Sequence, residues 1–246
     1  MRFLNYTWPE EIKTTELKDL KTEMEIYRMI KTISCVSIAY INPHLGMNLL
    51  KESYEKDIGS VFIIKDSKKH YLFGLAFKLE DTTYFVFRGT ETIDDVIMDI
   101  HTKLVRPWFN KSVRIHEGFY KYFIQLLDQI RFVIDHTQPK DIVLMGTSLG
   151  GAIATMFAFY LSKWIKVRLY TIGTPKCGDQ NFVDEINALE SYNLVNRFDI
   201  VVDHPQHPDY RKIKNIVPIE FDTGDIFKNH FMINYLYFLN LKWITQ

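Results

Sequence analysis

The sequence predicts an α/β fold: a central, mostly parallel sheet with helices on both faces, preceded by N-terminal helices and a β-meander. Three observations carry this. Beyond residue 114, helical and strand-like segments alternate, as they do when crossover connections bury a parallel sheet between helices. Residues 61–87 hold three short β-branched and aromatic runs separated by polar turns, the signature of consecutive antiparallel strands. No Pro/Gly/Ser-rich linker, repeat or low-complexity tract interrupts the 246 residues. A single domain spanning 1–246 is therefore expected, with the helical segment 1–41 packed on it.

Taken in order, residues 9–41 are rich in Glu, Lys, Leu, Met and Ile and contain no Gly, so they read as one or two helices ended by Asn42-Pro43. A Lys-rich connection leads to strands over 61–64, 71–78 and 82–87. A helix near 114–137, a strand over 141–145 and a helix over 149–164 follow. A strand over 167–172, a helix near 179–189 and a strand over 192–197 complete the alternation. A last strand-like run covers 213–221, and an aromatic segment 231–239 closes the pattern.

Composition narrows the function. With 47% hydrophobic and 24% charged residues the chain is a globular type rather than a disordered one. Lys+Arg and Asp+Glu are equal at 30 each, which leaves no electrostatic footprint for nucleic acid. The two cysteines, Cys35 and Cys177, form no disulfide framework or metal-ligand spacing and read as small buried hydrophobes. The first residues turn acidic before a signal core could form, which favours an intracellular location. The apolar stretch near 231–245 is broken by Asn234, Asn240 and Lys242, so no transmembrane segment is expected.

The chemistry concentrates at Gly146-Thr147-Ser148-Leu149-Gly150-Gly151, a G-x-S-x-G that follows the apolar run Ile142-Val143-Leu144-Met145 and opens an almost wholly apolar helix. Strand, elbow and helix in that order hold a serine in a strained turn, with the helix N-terminus supporting developing negative charge. A nucleophilic serine needs a base, and the base needs an orienting acid, in the chain order Ser, Asp or Glu, His. Three histidines follow Ser148: His204, His207 and His230. The first two lie in a Pro-flanked loop, whereas His230 follows the last strand-like run. Among Asp199, Asp203, Asp209 and Asp222, Asp199 stands directly beyond a strand end. Asp199 and His230 are the expected partners of Ser148. Upstream, the strand Tyr84-Phe85-Val86-Phe87 ends in Arg88-Gly89-Thr90, where a backbone N–H at Thr90 can supply half of an oxyanion hole. The N–H of Leu149 supplies the other half.

In these motifs the chain resembles the class 3, fungal-type lipases of the α/β-hydrolase superfamily. The shared features are Phe87-Arg88-Gly89-Thr90, His116-Glu117-Gly118-Phe119, the elbow with its small-residue helix, and Gly173-Thr174-Pro175-Lys176. They continue with Asn196-Arg197-Phe198-Asp199 and with His230, behind which stands Tyr235. The resemblance implies an α/β-hydrolase fold and a carboxylic ester hydrolase acting on lipids, with Ser148 as nucleophile, Asp199 as acid, His230 as base and Thr90 as oxyanion residue. No cofactor or metal is called for, and the partners implied are a lipid or other ester substrate and a transient lipid interface. His116 is expected to be structural, and Arg88 and Asp99 to form an ion pair. Thr147 stands where the family usually has His. The rival reading is a catalytically silent hydrolase-fold scaffold that binds a lipid or a protein. A nucleotide-binding protein is disfavoured, because neither a G-x-G-x-x-G nor a P-loop is present. Ile93, Val96, Ile97 and Ile100 recur at i, i+3, i+4 and i+7 with Asp94, Asp95 and Asp99 opposite. An amphipathic helix is expected there; the resemblance implies that residues 91–105 act as a lid, and the alternative is an ordinary surface helix whose isoleucines belong to the core.

Overall fold

The computed structural model describes residues 12–13, 20–54, 58–66, 71–90 and 103–237. Residues 91–102 of the expected lid segment 91–105, with its helix and the Asp99 partner of Arg88, lie outside the described residues; at its end, Leu104–Val105 form a short strand. In chain order the strands are β1 (Ile12–Lys13), β2 (Val61–Lys65), β3 (Leu72–Leu79), β4 (Thr82–Phe87), β5 (Leu104–Val105) and β6 (Ile115–His116), then β7 (Asp141–Thr147), β8 (Lys166–Ile172), β9 (Glu190–Asn196) and β10 (Ile216–Phe221). The helices are α1 (Leu20–Ile41), α2 (Pro43–Ser53), α3 (Glu117–Thr137), α4 (Leu149–Leu161) and α5 (Gln180–Asn187).

Eight strands form one sheet in the order β1-β10-β9-β8-β7-β4-β3-β2. The ladders from β4 through β7, β8 and β9 to β10 are parallel. The meander β2-β3-β4 is antiparallel, as the sequence predicts. Alternation along each strand sends neighbouring residues to opposite faces. Phe85, Ile142, Leu144 and Leu169 belong to the core beneath α3, α4 and α5. Tyr84, Val143, Met145 and Tyr170 belong to the core beneath α1 and α2. Cys35 and Cys177 are buried and free. No helix among the described residues is long and apolar enough to cross a membrane.

Two expectations are corrected. Asn42-Pro43 ends α1 at Ile41 as expected, but the same pair also starts a further helix, α2, which was not expected: Asn42 Oδ1 accepts the Leu45 N–H at 3.1 Å, and Pro43 occupies the first helical turn, where no N–H is needed. The two helices then pack so closely that a Cβ at Gly46 would overlap the Ala39 backbone. Residues 12–13 are strand rather than helix, pairing antiparallel with Phe221 and Glu220 of β10. That edge offers unpaired backbone groups, and ladder formation there outweighs local helix propensity.

Candidate active site

The site is assembled at the C-terminal ends of the parallel strands, where open α/β sheets place their ligands. At the end of β7, Ser148 adopts φ 53° and ψ −123°, a conformation that costs a non-glycine residue strain energy and is kept only where the surroundings impose it. Those surroundings are its glycine neighbours. A Cβ at Gly146 would overlap the Gly150 carbonyl, and one at Gly150 would overlap the Arg88 carbonyl oxygen, so α4 sits directly on the end of β4. The backbone N–H of Ser148 donates to Ile172 O at 2.9 Å, tying the elbow to β8. Ser148 and Leu149 are both buried. A Cβ at Gly89 would lie 3.2 Å from Ser148 Cβ, which puts the Gly89-Thr90 turn beside the serine.

One residue beyond Ile172, Gly173 takes φ 58°. A side chain there would stand 2.9 Å from Asp199 Oδ2 and 3.1 Å from His230 Cε1. The acid and histidine expected from the sequence therefore meet on the same strand end that anchors the elbow. His230 Nδ1 lies 2.7 Å from Asp199 Oδ2, and both side chains are almost fully buried. Asp199 caps a short 3-10 turn, its Oδ1 accepting the Val201 N–H at 2.9 Å. Tyr235, fully buried, donates its hydroxyl to Asp199 Oδ2 at 2.7 Å and accepts the Asn196 N–H at 3.0 Å. Burial, and then the Asp199 charge, push the Tyr235 phenol well above the ordinary tyrosine range.

The sequence motifs name Tyr235 and Asn196 but give neither a role, and Asn229 is not among them. Asn196 Nδ2 donates to Asn229 O at 3.2 Å, while its Oδ1 accepts the Phe221 N–H at 3.1 Å, so one side chain ties β9, β10 and the segment carrying His230. The available signal was a polar residue at the end of an apolar strand. The other candidates serve elsewhere. His204 Nδ1 lies 2.8 Å from Ile200 O, and His207 Nδ1 accepts the Asp209 N–H at 3.2 Å. Asp203 pairs with Lys212, Asp209 with Arg114, and Asp222 Oδ1 accepts the Gly224 N–H. His116 caps α3 by accepting the Phe119 N–H at 3.3 Å, with its ring stacked on Phe119. Arg88 donates from Nε to Leu72 O at 3.0 Å, with its guanidinium 3.7 Å over the Tyr40 ring. Among the described residues no cluster of three or more His, Cys, Asp or Glu side chains could hold a metal ion.

The family model for lipase (class 3) matches residues 84–208. The chain belongs to the class 3 lipase family. The matched span of this class 3 lipase-family protein includes Thr90, Ser148, Leu149 and Asp199 and stops short of His230. It is 30% identical over 139 residues to toxin TseL of Vibrio cholerae, and 28% identical over 134 residues to a lipase of Rhizomucor miehei. The two alignments cover 55% and 50% of this chain but only 21% and 37% of those proteins. The structure of Rhizomucor miehei triacylglyceride lipase superposes with a TM-score of 0.63 at 17% identity, covering 87% of this class 3 family member and 90% of the other chain. At that identity the likeness is one of fold, and the fold is that of the α/β-hydrolases.

Proposed function

We propose that this protein is a serine hydrolase cleaving carboxylic ester bonds of lipids, within a single domain, through an acyl-enzyme. The observation that carries the reading is the buried 2.7 Å pair of His230 Nδ1 and Asp199 Oδ2, packed on Gly173 beside the residue that anchors the Ser148 elbow. A carboxylate at Nδ1 holds the proton there and leaves Nε2 as the base. Ser148 Oγ attacks the ester carbonyl carbon and passes its proton to His230. The negative oxygen that forms is held by the N–H groups of Leu149 and Thr90. As the C–O bond breaks, His230 returns the proton to the leaving alcohol. Water then attacks the acyl-enzyme with His230 again as base, releasing the acid and restoring the serine.

A fluorophosphonate probe with peptide mapping tests this, because only an activated serine reacts. Label is expected on Ser148. Ser148→Ala and His230→Ala should each lower hydrolysis of p-nitrophenyl esters by about 10⁴-fold or more with the fold intact. Undiminished labelling in either variant overturns the assignment, and a folded wild-type protein inert to probe and ester favours the silent scaffold.

A further inference from the structure

Strand β4 runs into the Gly89-Thr90 turn through Arg88, a cation that the fold buries to 6% exposure. Arginine goes so deep only when its donors are satisfied, and here backbone oxygens satisfy them. Arg88 Nε donates to Leu72 O at 3.0 Å, and Nη1 donates to Gly89 O at 3.2 Å. Two tyrosines hold the guanidinium, with Cζ 3.7 Å from the Tyr40 ring centre and 4.8 Å from that of Tyr71. The two rings meet edge to face at 5.7 Å. Tyr40 belongs to α1 and Tyr71 directly precedes β3, so two separate elements fix where this cation stands.

The bond to Gly89 O has a consequence on the far side of the same peptide. Gly89 and Thr90 share a trans peptide unit, and in a planar trans peptide the C=O and the N–H point in opposite directions. Holding the Gly89 carbonyl on Arg88 therefore sets the direction of the Thr90 N–H. Gly89 cannot set it with a side chain, because a Cβ there would lie 3.2 Å from Ser148 Cβ and 3.3 Å from Thr147 O. Glycine is also the residue whose backbone turns most freely. A charged donor makes a bond about twice as strong as a neutral one, and it polarises the peptide so that the N–H opposite becomes a better donor.

We infer that Arg88 is a positioning residue for ester hydrolysis: its guanidinium, clamped by Tyr40 and Tyr71, aims and polarises the Thr90 N–H toward the oxygen that becomes negative. The inference rests on the serine-hydrolase reading, in which that N–H is one of two oxyanion donors. Arg88 touches neither the ester nor the reacting atoms. Its effect belongs to states that carry the negative oxygen and to stable mimics of them, and leaves substrate binding nearly untouched.

Arg88→Gln tests this selectively, since the glutamine amide nitrogen stands where Nε stood, within reach of Leu72 O, and nothing replaces Nη1 on Gly89 O. On a short-chain p-nitrophenyl ester, kcat should fall by about tenfold or more, short of the 10²–10³-fold that loss of a whole oxyanion donor costs. KM should stay within about twofold. Affinity for an alkylboronic acid, which forms a tetrahedral adduct on an activated serine, should fall by the same factor as kcat. If Arg88→Gln does not fold, Arg88→Lys reads the same split, because it keeps a charge between the tyrosines but lacks the planar fork that bridges two carbonyls. Unchanged kcat in a folded variant overturns the inference, as does a loss of kcat with boronate affinity intact, or a loss confined to KM. A lowered melting temperature with kcat and boronate affinity unaltered also overturns it, because Arg88 then serves the fold alone. Failure of the hydrolase reading shows separately, as ester hydrolysis and boronate binding undiminished by Ser148→Ala.

Discussion

At the residue scale, the side chain with the largest consequence after the proposed triad is Tyr235. Its hydroxyl is one of three donors on the Asp199 carboxylate, with His230 Nδ1 and the Val201 N–H. A buried carboxylate is tolerable only when its oxygens are satisfied. Tyr235→Phe should therefore cost about 1.5–3 kcal/mol of stability, the range for a hydrogen bond to a charged group. It should also lower kcat more than it changes KM, because the acid that orients the base is less firmly held. Denaturant titration and steady-state kinetics check the two effects. The pH dependence follows with a definite sign. The raised phenol pKa means the folded state keeps a proton that the unfolded state gives up. Its contribution is complete below the ordinary tyrosine value of about 10 and is lost as pH rises beyond it. Wild type should lose stability more steeply than Tyr235→Phe above that pH.

At the scale of elements, contacts between backbones decide. The elbow works because β4, β7 and the first turn of α4 touch with no side chain between them. Gly150→Ala puts a methyl group into the Arg88 carbonyl and must push α4 off the end of β4. Activity should fall by about 10²-fold or more, because small displacements of a nucleophile are costly. Far-ultraviolet circular dichroism should stay close to wild type. A variant as active as wild type would mean that the elbow relaxes more easily than its packing implies. Gly46→Ala makes the corresponding change between α1 and α2, away from the candidate site. Overpacking of this kind costs about 1–3 kcal/mol, which in a chain of this size is a drop of about 2–12 °C in melting temperature. Short-chain ester hydrolysis below the transition should be unaffected.

At the scale of the whole molecule, the sheet separates two hydrophobic cores. Ile130 of α3 lies in one and Ile33 of α1 in the other, each fully buried. Ile130→Val and Ile33→Val should each cost about 0.5–1.5 kcal/mol. With the sheet between them and no shared partners, the double variant should lose the sum within about 0.5 kcal/mol in a urea titration. A clear departure from additivity would mean that the sheet transmits packing strain from one face to the other.

The sequence by itself determined the α/β class, the meander followed by parallel strands, the elbow, and the candidates Ser148, Asp199 and His230. Each was legible because it is written locally: a hydropathy period, glycines where backbones touch, a charged residue at a strand end. It placed the end of α1 at Asn42-Pro43 but missed α2, because the same Asn-Pro pair both stops one helix and caps the next, and only packing on α1 shows that a second helix follows. It missed β1 because an edge ladder depends on a partner strand more than 200 residues away. The role of Tyr235, and the Asn196 side chain that ties two strands to the His230 segment, were likewise decided by tertiary structure alone. Those bonds join residues 25 to 36 positions apart, and a hydrogen bond between distant residues imposes no period, spacing or composition on the sequence around either end.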